Sequence, residues 1–359
     1  MTRLLASSLT CTLLSLCGRP TGSFPAPWSR SLHIFQLDAH SSSASDTADG
    51  ARVTPFKSDT ATTRRQASII ISSSTAGFLY TPSANGEYVS ATRGSVLEAR
   101  DPSSFSCCVY TPPTRRKSQG QSSTAETSET FPLLVVLHGA GNNNGDAMYE
   151  FTNEYPPGDH TNLPLFLCST GKAPAQLRDE FVVVAPYAGK GKKSLYDEPR
   201  SKILSFIKWF NAWIEAQQFA DGSQIAIDRS RVSLFGFSEG STLAVELATT
   251  RQFNGVVCAS YGFTGILPKE AVRRLQGIPL WIFHSEADDV YPIRCSTSIV
   301  NSLLEYEGAT DIFDIGKNLK LTKLIPDKAA KSEPGFEHVR AALVASASNE
   351  VYSWLLSLP

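Results

Sequence analysis

The chain has 359 residues, a formal net charge of −1, and 42% apolar and 19% charged residues. That length suits about two average domains or one large α/β domain with tails, and the apolar share lets most of it build a core. The near-zero charge, with no basic stripe and no long acidic run, excludes nucleic acid as an expected partner.

Residues 1–65 read differently from the rest. Ser, Thr, Ala and Arg dominate, and the first acidic residue is Asp38. An apolar run at residues 4–17 follows Arg3 but falls short of the ~20 residues that a bilayer span needs, so no stable membrane span is expected. A short apolar run behind a basic start suits a secretory signal. A Ser- and Arg-rich, acid-poor stretch that continues beyond it suits an organellar transit peptide. The acid-poor zone outlasts the apolar run, which favours an organelle (mitochondrion or plastid). The secretory pathway, a bipartite leader or a tail with no address are the alternatives. The expected division is a leader over 1–65 and one folded domain over 66–359.

A first hairpin is expected from residues 67–82 and a further strand from 104–113. Cys107 and Cys108 are neighbours in that strand and would point to opposite faces. Of seven cysteines, two lie in the leader and five in the body, and no C-x-x-C occurs. A mainly reduced protein, with its cysteines as small core residues, fits best. Residues 114–130 are polar and aperiodic, and read as a flexible loop between two antiparallel strands.

From residue 131 the rhythm changes. Continuous apolar runs occur at 131–139, 180–187, 231–237, 255–262 and 278–285. Strands buried on both faces read this way, as in a parallel sheet covered by helices. Helical stretches at 200–218, after Ser238, at 293–307 and at 337–357 alternate with them, the pattern of an α/β sandwich.

The third of those strands ends in "GFSEG", residues 236–240. A serine at the tip of a tight strand-to-helix turn is forced towards positive φ, and only small residues fit two places before and after it. Gly236 and Gly240 supply them. Such a turn holds the Ser238 hydroxyl clear of the sheet at a helix N-terminus, where N–H groups favour negative charge. The hydroxyl then needs a base, and the base a carboxylate. Of the six histidines, His33, His40, His138, His160, His284 and His338, only His338 follows the candidate acids. The elbow resembles that of the α/β-hydrolases, whose chain order of serine, acid, histidine implies His338 as the base. His284 ends a buried strand and reads as a satisfied core histidine. The loop after that strand offers Glu286, Asp288 and Asp289.

"LHGAG", residues 137–141, ends another strand. The turn there exposes backbone N–H groups, and that of Ala140 is expected to join that of Glu239 in an oxyanion hole. His138 reads as a turn-stabilising residue. Gly139, Gly141 and Gly145 are one residue too widely spaced for a dinucleotide loop, residues 189–194 miss the P-loop spacing, and no zinc cluster or H-E-x-x-H is present. Tyr149, Phe151, Tyr155 and Phe166, within 142–166, are equally readable as a pocket wall or a satellite core.

From about residue 131 to its end the chain resembles the α/β-hydrolase superfamily. Within that superfamily it is similar to the phospholipase/carboxylesterase group and the neighbouring "predicted peptidase" or feruloyl-esterase-like proteins. The resemblance rests on "LHGAG", "IDRSRVSLFGFSEGS", "IFHSEADDVYP" and the closing helix with its Trp-Leu-Leu. It implies a mostly parallel central sheet with antiparallel N-terminal strands and helices on both faces. It implies Ser238 as nucleophile, His338 as base, and Asp288, four residues before Pro292, as the acid. Val290 and Pro292 would anchor the loop, and Asp289 would point away to cap the turn or the helix that follows. The sequence departs from the group's pattern at Glu239, Ser241 and Glu337. The implied activity is cleavage of a small carboxylic ester through an acyl-enzyme, with no cofactor. A peptidase or thioesterase with the same triad, or a catalytically silent hydrolase-like binding protein, are the alternatives, and the oligomeric state is left open.

Overall fold

The computed structural model describes residues 70–71, 92–101, 105–114, 129–140, 147–152, 163–189, 194–263, 265–306, 318–326 and 334–359. The chain divides into two units at Thr62/Thr63, and every described residue belongs to the second. The expected leader over 1–65 lies outside the described residues, as do 115–128 of the expected loop and most of the expected first hairpin.

Among the described residues, nine strands form one sheet: β1 (Ile70–Ile71), β2 (Val96–Arg100), β3 (Ser106–Tyr110), β4 (Glu129–Leu137), β5 (Val182–Tyr187), β6 (Ile225–Phe237), β7 (Gly255–Ala259), β8 (Leu280–Ser285) and β9 (Leu319–Leu324). Their spatial order is β1-β2-β3-β5-β4-β6-β7-β8-β9. The pairings from β1 to β5 are antiparallel, and all those from β5 to β9 are parallel. This is the mostly parallel sheet with antiparallel N-terminal strands that the resemblance implies.

Two pairings at this edge add to the expectation. Ile70 and Ile71 pair with β2, a strand that sequence periodicity did not reveal. The polar loop joins strands that run in opposite directions but are not neighbours, because β5 lies between β3 and β4.

The continuous apolar runs have a direct physical cause, since each strand feeds two cores. In β4, Leu133, Val135 and Leu137 face one core while Leu134 and Val136 face the other. β7 and β8 alternate in the same way, and Cys107 and Cys108 of β3 fall on opposite sides. The first core is covered by α4 (Arg200–Glu215), α5 (Glu239–Ala248), α6 (Lys269–Leu275) and α7 (Arg294–Leu304). The second is covered by α1 (Ala147–Thr152), α2 (Leu163–Ser169), α3 (Ala175–Glu180), α8 (Phe336–Ala347) and α9 (Asn349–Ser357). α4 shows why such helices dock: Ile203, Phe206, Ile207, Phe210 and Ile214 recur at helical spacing and are all buried. Each such side chain contributes ~1.5–3 kcal/mol on burial. The single closing helix expected over 337–357 is two helices, broken where Ser348 turns to an extended backbone, ψ 114°.

The strand order reverses at β4. The chain leaves β4 for β5 on one side and then crosses over to β6 on the other. Helices α1 to α3 and α4 lie between these strands in sequence and cover opposite faces. In open α/β sheets, ligands bind outside the carboxyl ends of the strands at such a reversal.

Candidate active site

Ser238 occupies the carboxyl end of β6 and the N-cap of α5, with φ 55° and ψ −123°. A positive φ is uncommon and strained for a residue with a Cβ. The glycines around it let the strand and helix backbones approach. A Cβ on Gly236 would lie 2.3 Å from the Gly240 carbonyl oxygen, and one on Gly240 only 2.1 Å from that of Leu137. Ser241, where the group's pattern has a second glycine, is fully buried. Its hydroxyl lies 2.7 Å from the Ala259 carbonyl and 2.8 Å from that of Gly236, so it ties the turn to β7.

Three residues far apart in sequence meet here. His338, in the first turn of α8, places Nε2 3.0 Å from Ser238 Oγ. Its Nδ1 lies 2.8 Å from Asp288 Oδ2 and 3.1 Å from Oδ1. An ionised carboxylate only accepts, so Nδ1 carries the hydrogen and Nε2 is left to accept from the serine hydroxyl. All three are at most 9% exposed. The Phe237 and Tyr291 rings flank the imidazole with centroids 5.1 and 5.4 Å away. Tyr291 fits because Gly262 has no Cβ, which would lie 2.3 Å from the ring. Burial, and then the nearby Glu239 carboxylate, push the Tyr291 phenol up to about 12.

Asp288 is held firmly. Its Oδ1 accepts the N–H groups of Val290 and Tyr291 at 2.9 and 2.8 Å. Burial alone would raise its pKa, but hydrogen bonds from His284, His338 and the Tyr291 N–H outweigh it and hold the carboxyl well below its usual range. Asp289 points elsewhere, as expected, but to a different target. Its carboxylate accepts from the Gly335 N–H at 3.0 and 3.1 Å, so it caps the entry to α8 and not the helix after Pro292. Glu337 accepts from Ser285 and from Arg340, which anchors the same turn of α8 to the end of β8.

Gly139 follows β4, and a Cβ there would lie 3.0 Å from the Ser238 Cβ, so the β4 turn abuts the serine. Ala140 comes next and is exposed. Glu239 opens α5, where first-turn N–H groups point past the helix end. His138 is buried, with Nδ1 donating to the Gly139 carbonyl at 2.8 Å and Nε2 accepting from the Ala188 N–H at 3.3 Å. Burial drives its pKa down to about 4, so the ring is neutral and stabilises the turn. Phe151 is buried core against His138 and Tyr187. Phe166 is partly buried against the same core, and the side chains of Tyr149 and Tyr155 lie outside the described residues.

Sequence reasoning missed two polar contacts at the site. The Ser260 hydroxyl, on a residue with φ 52°, donates to the His338 carbonyl at 2.7 Å. His284 Nε2 lies 3.2 Å from Asp288 Oδ2. A polar residue ending an otherwise apolar strand was the available signal for both. A cleft of about 890 Å³ lies elsewhere, lined by α4, the Arg229–Val232 part of β6 and the loop before β7, and holds none of these residues. Among the described residues, no group of three or more His, Cys, Asp or Glu is placed to hold a metal, and no helix is long and apolar enough to cross a membrane. Among the described residues the five cysteines are buried, and no disulfide joins them.

A family model described as Phospholipase/Carboxylesterase matches residues 121–315, more than half of the chain. The match includes Ser238 and Asp288 and ends before His338. A comparison with curated proteins finds no match. Among solved structures the chain is similar to a thermostable esterase, at 18% identity and TM-score 0.48 over 73% of this chain and 62% of that one. It is also similar to the acylaminoacyl peptidase of Pyrococcus horikoshii, at 13% identity and TM-score 0.38 over 67% of this chain and 38% of that one. The chain thus spans about three fifths of the length of that esterase.

Proposed function

The chain belongs to the phospholipase/carboxylesterase family of hydrolases, and on that premise we propose that it is a serine hydrolase that cleaves small carboxylic esters through a covalent acyl-enzyme. The observation that carries this reading is the continuous hydrogen-bonded line from the Ser238 hydroxyl through His338 to Asp288, at 3.0 and 2.8 Å.

In this mechanism Ser238 Oγ attacks the ester carbonyl carbon as its proton passes to His338 Nε2. The carbonyl oxygen becomes an oxyanion, held by the N–H groups of Glu239 and Ala140. The tetrahedral intermediate collapses, the C–O bond to the leaving group breaks, and His338 Nε2 returns the proton to the departing alcohol. Water then attacks the acyl carbon as its proton moves to Nε2, and the acid leaves when Ser238 recovers its proton. Asp288 fixes the tautomer and orientation of His338 and stays ionised while the imidazole is charged. This chemistry uses no cofactor. Mixing the protein with excess p-nitrophenyl acetate tests the reading. A burst of about one equivalent of nitrophenol per chain, with an acetyl mass on the Ser238 peptide, is expected. Ester turnover with no acyl adduct on that peptide would contradict it.

A further inference from the structure

We infer that His284 is a positioning residue for Asp288, supplying a fixed N–H to the same carboxylate oxygen that faces His338. The inference rests on the serine-hydrolase reading above, in which Asp288 orients the base.

The tautomer of His284 follows from its partners. Nε2 lies 2.8 Å from the Tyr291 carbonyl oxygen and 3.2 Å from Asp288 Oδ2. A carbonyl and an ionised carboxylate both accept only, so Nε2 bears the hydrogen and shares it between them. Nδ1 lies 2.6 Å from the Ser296 hydroxyl, which must then donate to it. The ring is held from both ends and is completely buried, as is Ser296 on α7. Asp288 Oδ2 therefore receives N–H groups from two histidines, and Oδ1 receives two from the backbone. The hydrogen bond from His284 is also one of the main influences that keep the carboxyl ionised against its burial.

An apolar side chain would suit the end of a strand buried on both faces, and an imidazole there is costly unless its nitrogens are used. Here both are used, one to lock the ring and one on the triad acid. Without the Nε2–H, Oδ2 keeps a single donor, and the carboxylate loses the contact that holds its outer oxygen opposite His338. The Tyr291 carbonyl would lose its partner too, which couples the acid to the loop that carries the aromatic ring against His338.

The test compares His284→Leu, which fills space without an N–H, with His284→Gln, whose amide N–H can reach the Nε2 position. Readouts are kcat and KM on p-nitrophenyl butyrate, and the downfield proton resonance of the His338 Nδ1–H. His284→Leu should lower kcat about 10- to 100-fold, the scale of one hydrogen bond to a charged group, with KM little changed and the resonance moved. His284→Gln should recover most of both. Wild-type kcat with an unmoved resonance in the leucine variant, or equal impairment of a folded glutamine variant, overturns the inference. If the leucine variant does not fold, Ser296→Ala decides: it should move the resonance and lower kcat, and no change in either overturns the inference. The resonance needs no turnover. A Ser238→Ala protein that still hydrolyses esters would therefore refute the parent reading while leaving the role of His284 to be judged separately.

Discussion

Exchanging Asp288 for asparagine changes one atom and keeps the shape of the side chain, so its effect can be derived from the contacts. Oδ1 accepts two backbone N–H groups, from Val290 and Tyr291. The amide oxygen of asparagine will keep that position, which leaves the NH₂ where Oδ2 now faces His338 and His284. Two donors then meet at 2.8 Å. His338 relieves the conflict by moving its hydrogen to Nε2, and Nε2 then faces Ser238 as a donor and cannot accept the serine proton. Where a triad aspartate is replaced in this way in a serine protease the loss is about 10⁴ in kcat, or roughly 5 kcal/mol of barrier. Asp288→Asn should therefore cut kcat on a p-nitrophenyl ester by about that factor while the protein stays folded by circular dichroism. Asp289→Asn keeps an oxygen to accept from Gly335 and should stay within a few-fold of wild type. The opposite pattern, or two near-normal enzymes, would refute the assignment of the acid.

Further outcomes follow from other contacts. Gly240→Ala puts a Cβ 2.1 Å from the Leu137 carbonyl oxygen, so α5 must back away from β4. Thermal unfolding should show a loss of about 3 kcal/mol, the upper end for overpacking, with activity falling more steeply than stability. His138 protonates near 6.5 when unfolded but only at about 4 when folded. The stability it contributes is thus complete above pH 6.5 and lost as pH falls towards 4, by roughly 3 kcal/mol in all. Denaturant melts of wild type and His138→Asn between pH 4 and 7 should converge on acidification, and a constant difference would contradict this. A truncated chain that starts at Thr62 should fold and hydrolyse esters as the full chain does, and its loss of activity or solubility would show that the leader packs on the domain.

The parallel strands β4 to β8 were legible because burial on two faces leaves a continuous apolar run, as in residues 182–187 and 255–259. The elbow was legible because only glycine can stand at 236 and 240 when backbones approach to that distance. β2 escaped notice because its five residues mix Glu and Arg with Leu and Val at the antiparallel edge. β9, with two lysines in six residues and one buried side chain, escaped for a similar reason. The break at Ser348 left no glycine or proline in the sequence to mark it. At the site, the meeting of Ser238, His338 and Asp288 was expected from the resemblance and its chain order. His284 was correctly expected to be buried and satisfied, yet its contact with Asp288 depends on how the loop after β8 folds back, which no periodicity encodes. Asp289 was expected to cap its own turn or the helix that follows, and its partner is the N–H of Gly335 just before α8, 46 residues away in sequence.

The most direct test of the central claim is labelling with a fluorophosphonate, which phosphonylates only an activated serine. Wild type should take up one adduct per chain, mapped by mass spectrometry to Ser238. Ser238→Ala should keep its fold, take up none and lose ester hydrolysis. A folded alanine variant that still labels, or still turns over esters at the wild-type rate, would contradict the account.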